Sequence, residues 1–106
     1  MTDKRLVIVT CAGQEEAERL ARTVVGQGLA ACASVLPQIR SCYMWEGNQT
    51  WSDEVMILIK TTSFRFPALE QRIRELHSYE VPEIISVAID AGSEKYLQWV
   101  GTSVGL

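Results

Sequence analysis

The chain is 106 residues long, enough to bury one hydrophobic core and too short for a second independent one. Hydrophobic residues make up 47% and charged residues 22%, which sets it apart from disordered chains. Its ten Lys and Arg residues are scattered among thirteen Asp and Glu, a net charge of -3 that argues against binding a nucleic-acid backbone, and no apolar run approaches the roughly 18 residues of a membrane span.

Leu6-Val7-Ile8-Val9-Thr10 is a short apolar run with charge before it and Ala12-Gly13 after it, and it reads as a buried strand. Met1 to Arg5 lead straight into that strand with no apolar signal region, so the expected address is the cytoplasm. Ala17, Leu20, Ala21, Val24 and Val25 then recur at helical spacing. Glu15, Glu16 and Glu18 crowd the start of this helix, where its dipole favours acids, and Gly26 with Gly28 stops it.

From Leu29 to Trp45 the pattern is extended, and Pro37 marks a bulge or an edge because it has no N–H to give to a ladder. Glu46-Gly47-Asn48-Gln49 is a turn and Val55-Met56-Ile57-Leu58-Ile59 is the returning strand, so residues 29 to 61 read as an extended hairpin. Pro67 suits the first turn of a second helix, with Phe66, Leu69, Ile73 and Leu76 on its apolar face and its end near His77. Val81-Pro82 breaks the chain, Ile84 to Ile89 form a last strand, and Ser93 caps a short terminal helix carrying Tyr96, Leu97 and Val100. The expected structure is a single α+β domain over residues 1–106. It is a ferredoxin-like β-α-β-β-α-β antiparallel sheet with a long hairpin between its second and third strands and a short C-terminal helix.

In that plan both main helices cover one face of the sheet, so its strands should alternate apolar and polar if the other face met water. They do not: Leu6 to Val9, Val55 to Ile59 and Ile84 to Ile89 are apolar or small at both alternating sets. The second face must therefore be covered too. The terminal helix is too short to do this alone, and the remaining candidate is another subunit.

Few residues carry a chemical signature. Gly26-Gln27-Gly28-Leu29-Ala30-Ala31 fits the letters of a dinucleotide-binding loop, but a helix precedes it and a strand follows, the reverse of what that loop requires. Cys11, Cys32 and Cys42 are odd in number and fall in no zinc spacing, so they read as small buried hydrophobes in a reducing compartment. His77 is the only histidine. With Ser78, Tyr79, Glu80 and Glu83 beside it, it has two readings: a weak metal site, or the C-terminal cap of the second helix. Tyr43, Trp45, Trp51, Tyr96 and Trp99 form an aromatic group, with Trp45 and Trp51 flanking the hairpin tip as a subunit contact, a cleft wall or a cross-strand pair.

Leu29-Ala30-Ala31-Cys32-Ala33, Tyr43-Met44-Trp45-Glu46-Gly47, the segment Glu54 to Thr61, the segment His77 to Ile85, and the Tyr-Leu-x-Trp of Tyr96 to Trp99 resemble, in order and spacing, the CutA family of divalent-cation-tolerance proteins. The resemblance implies a ferredoxin-like subunit similar to the PII-type signalling trimers, assembled as a homotrimer through its sheets and long hairpins. It implies a part in divalent-cation tolerance, copper above all, by sensing or buffering, with no catalysis and no metal needed for folding. The family's proposed copper ligands are a first-strand cysteine and histidines just before a Tyr-x-x-Pro-Glu motif. Carried over, they imply His77, Glu83 and Cys11 as candidate ligands for Cu(II) or another divalent cation. Leu76 stands where a second histidine would be, and Val9 where an ungapped match puts the cysteine, two residues before Cys11 and on the same strand face. The resemblance also implies a polar cleft between subunits bordered by Lys60, His77, Tyr79 and Glu83, with Trp45 or Trp99 nearby, able to take a metal ion, a small anion or a metabolite.

Two other activities on this fold fit the residues poorly. An acylphosphatase needs a basic phosphate cradle, and the first loop, Cys11 to Glu16, offers acid. An RNA-recognition sheet needs strand aromatics amid basic residues, and these strands are apolar.

Overall fold

The computed structural model describes residues 2–105. Its elements in chain order are β1 (Lys4–Cys11), α1 (Gln14–Gly26), β2 (Cys32–Trp45), β3 (Asn48–Thr62), α2 (Phe66–Leu76), β4 (Ile84–Ala88) and α3 (Glu94–Ser103). The strands form one sheet in the order β2-β3-β1-β4, with every neighbouring pair antiparallel. This is the ferredoxin-like α+β arrangement expected from the element order.

Strand alternation decides the layers. Val7, Val9 and Cys11 of β1 and Val55, Ile57 and Ile59 of β3 point to one face, where they pack with Ala17, Leu20 and Val24 of α1 and Leu69 and Ile73 of α2. Each such large apolar side chain contributes about 1.5–3 kcal/mol when fully buried, so this layer is the main source of stability. Val25, expected in the apolar stripe of α1, is 41% exposed, because it lies about 100° round the helix from the buried Val24. Helix α1 ends in a Schellman motif: Leu29 N–H donates to Val24 O at 3.0 Å and Gly28 N–H to Val25 O at 3.1 Å, with Gly28 left-handed at φ 71°.

The hairpin is tighter at its tip and longer in its arms than the turn residues suggest. Glu46 and Gly47 alone form the loop, at φ 49° and 82°, the positive pair of a type I′ turn, so β3 begins already at Asn48. Of the hairpin, strand β1 pairs only with Val55 to Thr62 of β3, which leaves the hairpin beyond Ile39 and Glu54 as a two-stranded arm projecting from the sheet. The ladder slips between Leu36 and Ile39, with Pro37 lacking a donor and Gln38 left-handed at φ 59°, so a bulge stands where the proline predicted one.

The second face carries apolar rows. Cys32, Lys60, Leu6 and Val87 lie in register across the sheet, then Ser34, Leu58, Ile8 and Ile85, then Leu36, Met56 and Thr10. Helix α3 covers only one end of it: Val100 and Val104 cluster with Ala31, Arg65 Nε donates to Val104 O at 2.8 Å, and the Tyr96 hydroxyl lies 3.6 Å from Cys32 Sγ. Leu36, Ile85 and Val87 remain exposed, and Leu6, Ile8, Met56 and Leu58 are half-buried.

The two glycines at the end of α1 predict opposite responses. A Cβ at either meets nothing within 4 Å, so only the backbone matters. Gly28→Ala, forced to a positive φ, is expected to destabilise by about 1 kcal/mol, whereas Gly26→Ala, on the last helical residue, stabilises by about 0.5–1 kcal/mol. Urea unfolding of the two variants checks the signs.

Candidate functional site

The polar cluster begins where α2 stops. His77 leaves the helix at φ -75° and ψ 141° while its own N–H still donates to Ile73 O at 2.9 Å, and this turn sends the imidazole under the chain toward β1. The ring is fully buried, with Nε2 2.7 Å from Thr10 O, and Nδ1 accepts from Tyr79 N–H at 3.0 Å. Since Nδ1 accepts, Nε2 carries the hydrogen and donates to the Thr10 carbonyl. The cap reading of His77 describes its place in the chain, and its side chain ties the connector after α2 to the first strand.

Two carboxylates hold the same connector. Glu16 of α1 accepts from Ser78 N–H at 2.7 Å and from Ser78 Oγ–H at 3.0 Å, receives Ala12 N–H at 3.4 Å, and lies 3.8 Å from His77 Nδ1. Glu54 of β3 is buried and accepts the Tyr79 hydroxyl hydrogen at 2.9 Å, and the Tyr79 ring lies 4.9 Å from the imidazole. No Lys or Arg side chain bridges to Glu16 or Glu54 among the described residues. Burial alone would raise the Glu16 pKa, but the Ser78 hydrogen bonds, the neighbouring His77 and the Ala12 N–H outweigh it and hold the carboxyl below its ordinary value. Burial, then the hydrogen bond to Glu54 and the charges of Glu54 and Glu16, push the Tyr79 phenol well above its ordinary value. Burial, then the charges of Glu16 and Glu54, push the Cys11 thiol up to about 12.

The candidate residues therefore fall into separate places. His77, Tyr79 and Cys11 surround one polar cluster with Glu16 and Glu54. Glu83 is exposed on the connector just before β4. Lys60 is six residues from Glu54 on β3, about 20 Å away at the rise of an extended strand. It lies across the ladder from Cys32, beside α3 and its ring pair Tyr96 and Trp99, 5.6 Å apart. Trp45 is at the tip of the arm and 63% exposed. Glu16 and Glu54 had not stood out in the sequence: Glu16 is one of three acids in the first turn of α1, and Ser78, its partner, is 62 residues away. The one available signal was Glu54, a charge directly preceding an apolar strand.

As donors, the three candidate metal ligands do not fit a metal ion within one subunit. Both His77 ring nitrogens are engaged in hydrogen bonds, Cys11 is a buried thiol held in its protonated form, and no group of three or more His, Cys, Asp or Glu side chains among the described residues is placed to hold a metal. No described helix is long and apolar enough to cross a membrane.

A four-stranded ferredoxin-like sheet with both main helices on one face, a projecting β2-β3 arm and a terminal helix over one end of the other face places the chain in a narrow class of small α+β proteins. The model of the CutA1 divalent ion tolerance protein family matches residues 5–103, and the chain belongs to that family. It is 36% identical over 102 residues to the divalent-cation tolerance protein CutA of Thermus thermophilus, an alignment covering 96% of this chain and 99% of that protein. To human protein CutA it is 45% identical over 92 residues, covering 87% of this chain and 51% of the human one, so it spans about half the length of that relative. The crystal structure of CutA from Xylella fastidiosa matches with a TM-score of 0.95 at 36% identity, covering 97% of this chain and 99% of that one.

Two outcomes test the cluster. With its folded pKa depressed, Glu16 contributes stability that is complete above the ordinary carboxylate value of 4.5 and lost as pH falls through the lower folded value. Glu16→Gln is expected to cost about 1–2 kcal/mol at pH 7 and to flatten the acid side of the stability profile, as read by urea unfolding from pH 7 to pH 3. Native Cys11 is expected to resist iodoacetamide at pH 8 and to react fully once the protein is unfolded, as followed by mass spectrometry.

Proposed function

We propose that the protein serves divalent-cation tolerance as a homotrimer, built through the open face of the sheet and the β2-β3 arms, which binds its ligand in clefts between subunits and catalyses nothing. The observation that carries this reading is the apolar second face: Leu36, Ile85 and Val87 stand exposed there over half-buried Leu6, Ile8, Met56 and Leu58, and a grouped apolar surface of this kind marks an interaction face. Assembly also brings the ends of the sheet close to other subunits, which would give the scattered candidates Trp45, Lys60, Tyr79 and Trp99 a shared cleft.

Cu(II) is the first ligand to test, with His77 and Glu83 as its donors and Cys11 behind them. The names of relatives such as the Thermus thermophilus divalent-cation tolerance protein support a divalent cation as the class of ligand. A second reading, a PII-like regulatory binder of a small anion or metabolite, draws on the engagement of both His77 ring nitrogens, since a metal would have to displace the Tyr79 N–H or the Thr10 carbonyl.

Calorimetric titration of Cu(II) into wild type and His77→Ala, with subunit number measured by light scattering on the same samples, separates the two. The metal reading expects a trimer that binds about one ion per subunit and a variant that has lost at least tenfold in affinity. Weak binding that is unchanged in the variant sinks the copper role and leaves the anion reading; a monomeric wild type sinks the assembly.

A further inference from the structure

Lys60 is a charge on the open face of the sheet whose ammonium pairs with no other side chain among the described residues. By strand alternation Lys4, Glu54 and Lys60 of β1 and β3 share that face. Lys4 bridges to Asp3 at 2.6 Å and Glu54 accepts from Tyr79, whereas the Lys60 ammonium has no hydrogen-bond or ion-pair partner among the described residues. Its neighbours across the ladder are Cys32 and Leu6, with Val87 beyond, and Leu58, Ile8 and Ile85 fill the next row. On the α3 side the Tyr96 hydroxyl reaches Cys32 Sγ, with Trp99 tilted against the Tyr96 ring.

A half-buried lysine is tolerated on such a face while its ammonium head reaches water along a stem that lies over apolar neighbours. Once another subunit covers the row, an unpaired ammonium is expensive, so the covering side has to supply an anion. One cation, one hydroxyl and an apolar and aromatic surround match a singly charged carboxylate. A phosphate would call for several convergent donors.

We propose that Lys60 receives a carboxylate from outside its own subunit, belonging either to a small acid held in the cleft or to a side chain of the neighbouring subunit. The inference rests on the sheet-to-sheet homotrimer proposed above and names the ligand chemistry of its cleft.

The test titrates benzoate into wild type, Lys60→Met, Lys60→Gln and Lys60→Arg. Light scattering across a dilution series reads assembly on the same samples, and circular dichroism verifies folding; Lys60→Gln serves as the neutral variant if Lys60→Met is unfolded. For a bound small acid, wild type and Lys60→Arg bind benzoate, and the neutral variants stay trimeric while binding at least tenfold more weakly. For a neighbouring side chain, no form binds benzoate, and the neutral variants dissociate at protein concentrations at least tenfold higher than wild type, with Lys60→Arg restoring assembly. Wild-type and neutral-variant trimers that agree in both readouts overturn the role of Lys60. A wild type that is monomeric throughout is a different failure, that of the assembly itself.

Discussion

An antiparallel sheet whose central strands are apolar on both faces has to be covered twice, and here the two covers are unequal. One is complete: α1 and α2 close over Val7, Val9, Ile57 and Ile59, which lose all or nearly all contact with solvent. The other is partial, because α3 has ten residues and reaches only the end of the sheet near Ala31 and Cys32. Most other features of the molecule follow from that inequality. The open rows account for the proposed assembly, and Lys60 is conspicuous because it sits among them.

The polar cluster around His77 obeys a second constraint. Glu16 and Glu54 are largely removed from water with no Lys or Arg among the described residues bridged to them, and a buried carboxylate is tolerated only when its lone pairs are met by donors. Ser78 gives Glu16 two hydrogens and Tyr79 gives Glu54 one, so three consecutive residues after α2, including His77 on the Thr10 carbonyl, are each tied to a different element. The connector is thus fastened to β1, α1 and β3 at once. This is why His77 serves here as a structural tie first, and why a metal reading has to account for the bonds it would break.

The fold was legible in the sequence to an unusual degree because its signals are local. The 3.6-residue stripe of α1, the glycines after it, Pro37 at the bulge, Pro67 at the start of α2 and Ser93 before α3 all act within a few residues of themselves. The exceptions are also local in origin: the turn at Glu46-Gly47 is two residues shorter than its polar run suggested because both residues take positive φ and let Asn48 rejoin the ladder. The site was far less legible. His77 and Tyr79 were visible as a motif, but their partners Thr10, Glu16 and Glu54 lie 67, 61 and 25 positions away, and only Glu54, a charge beside an apolar run, carries a local mark of the role.

What the sequence by itself determined is therefore the set of elements, their order and the two-faced hydrophobicity of the sheet, since these depend on side-chain type and spacing along the chain. Only the tertiary structure decided that His77 spends both ring nitrogens on backbone groups, that Cys11 is sealed beside two carboxylates, and that Lys60 and Trp45 lie away from them within one subunit. Those outcomes depend on which strands become neighbours and in what register, and the register is set by the packing of the whole core, which no short stretch of residues contains.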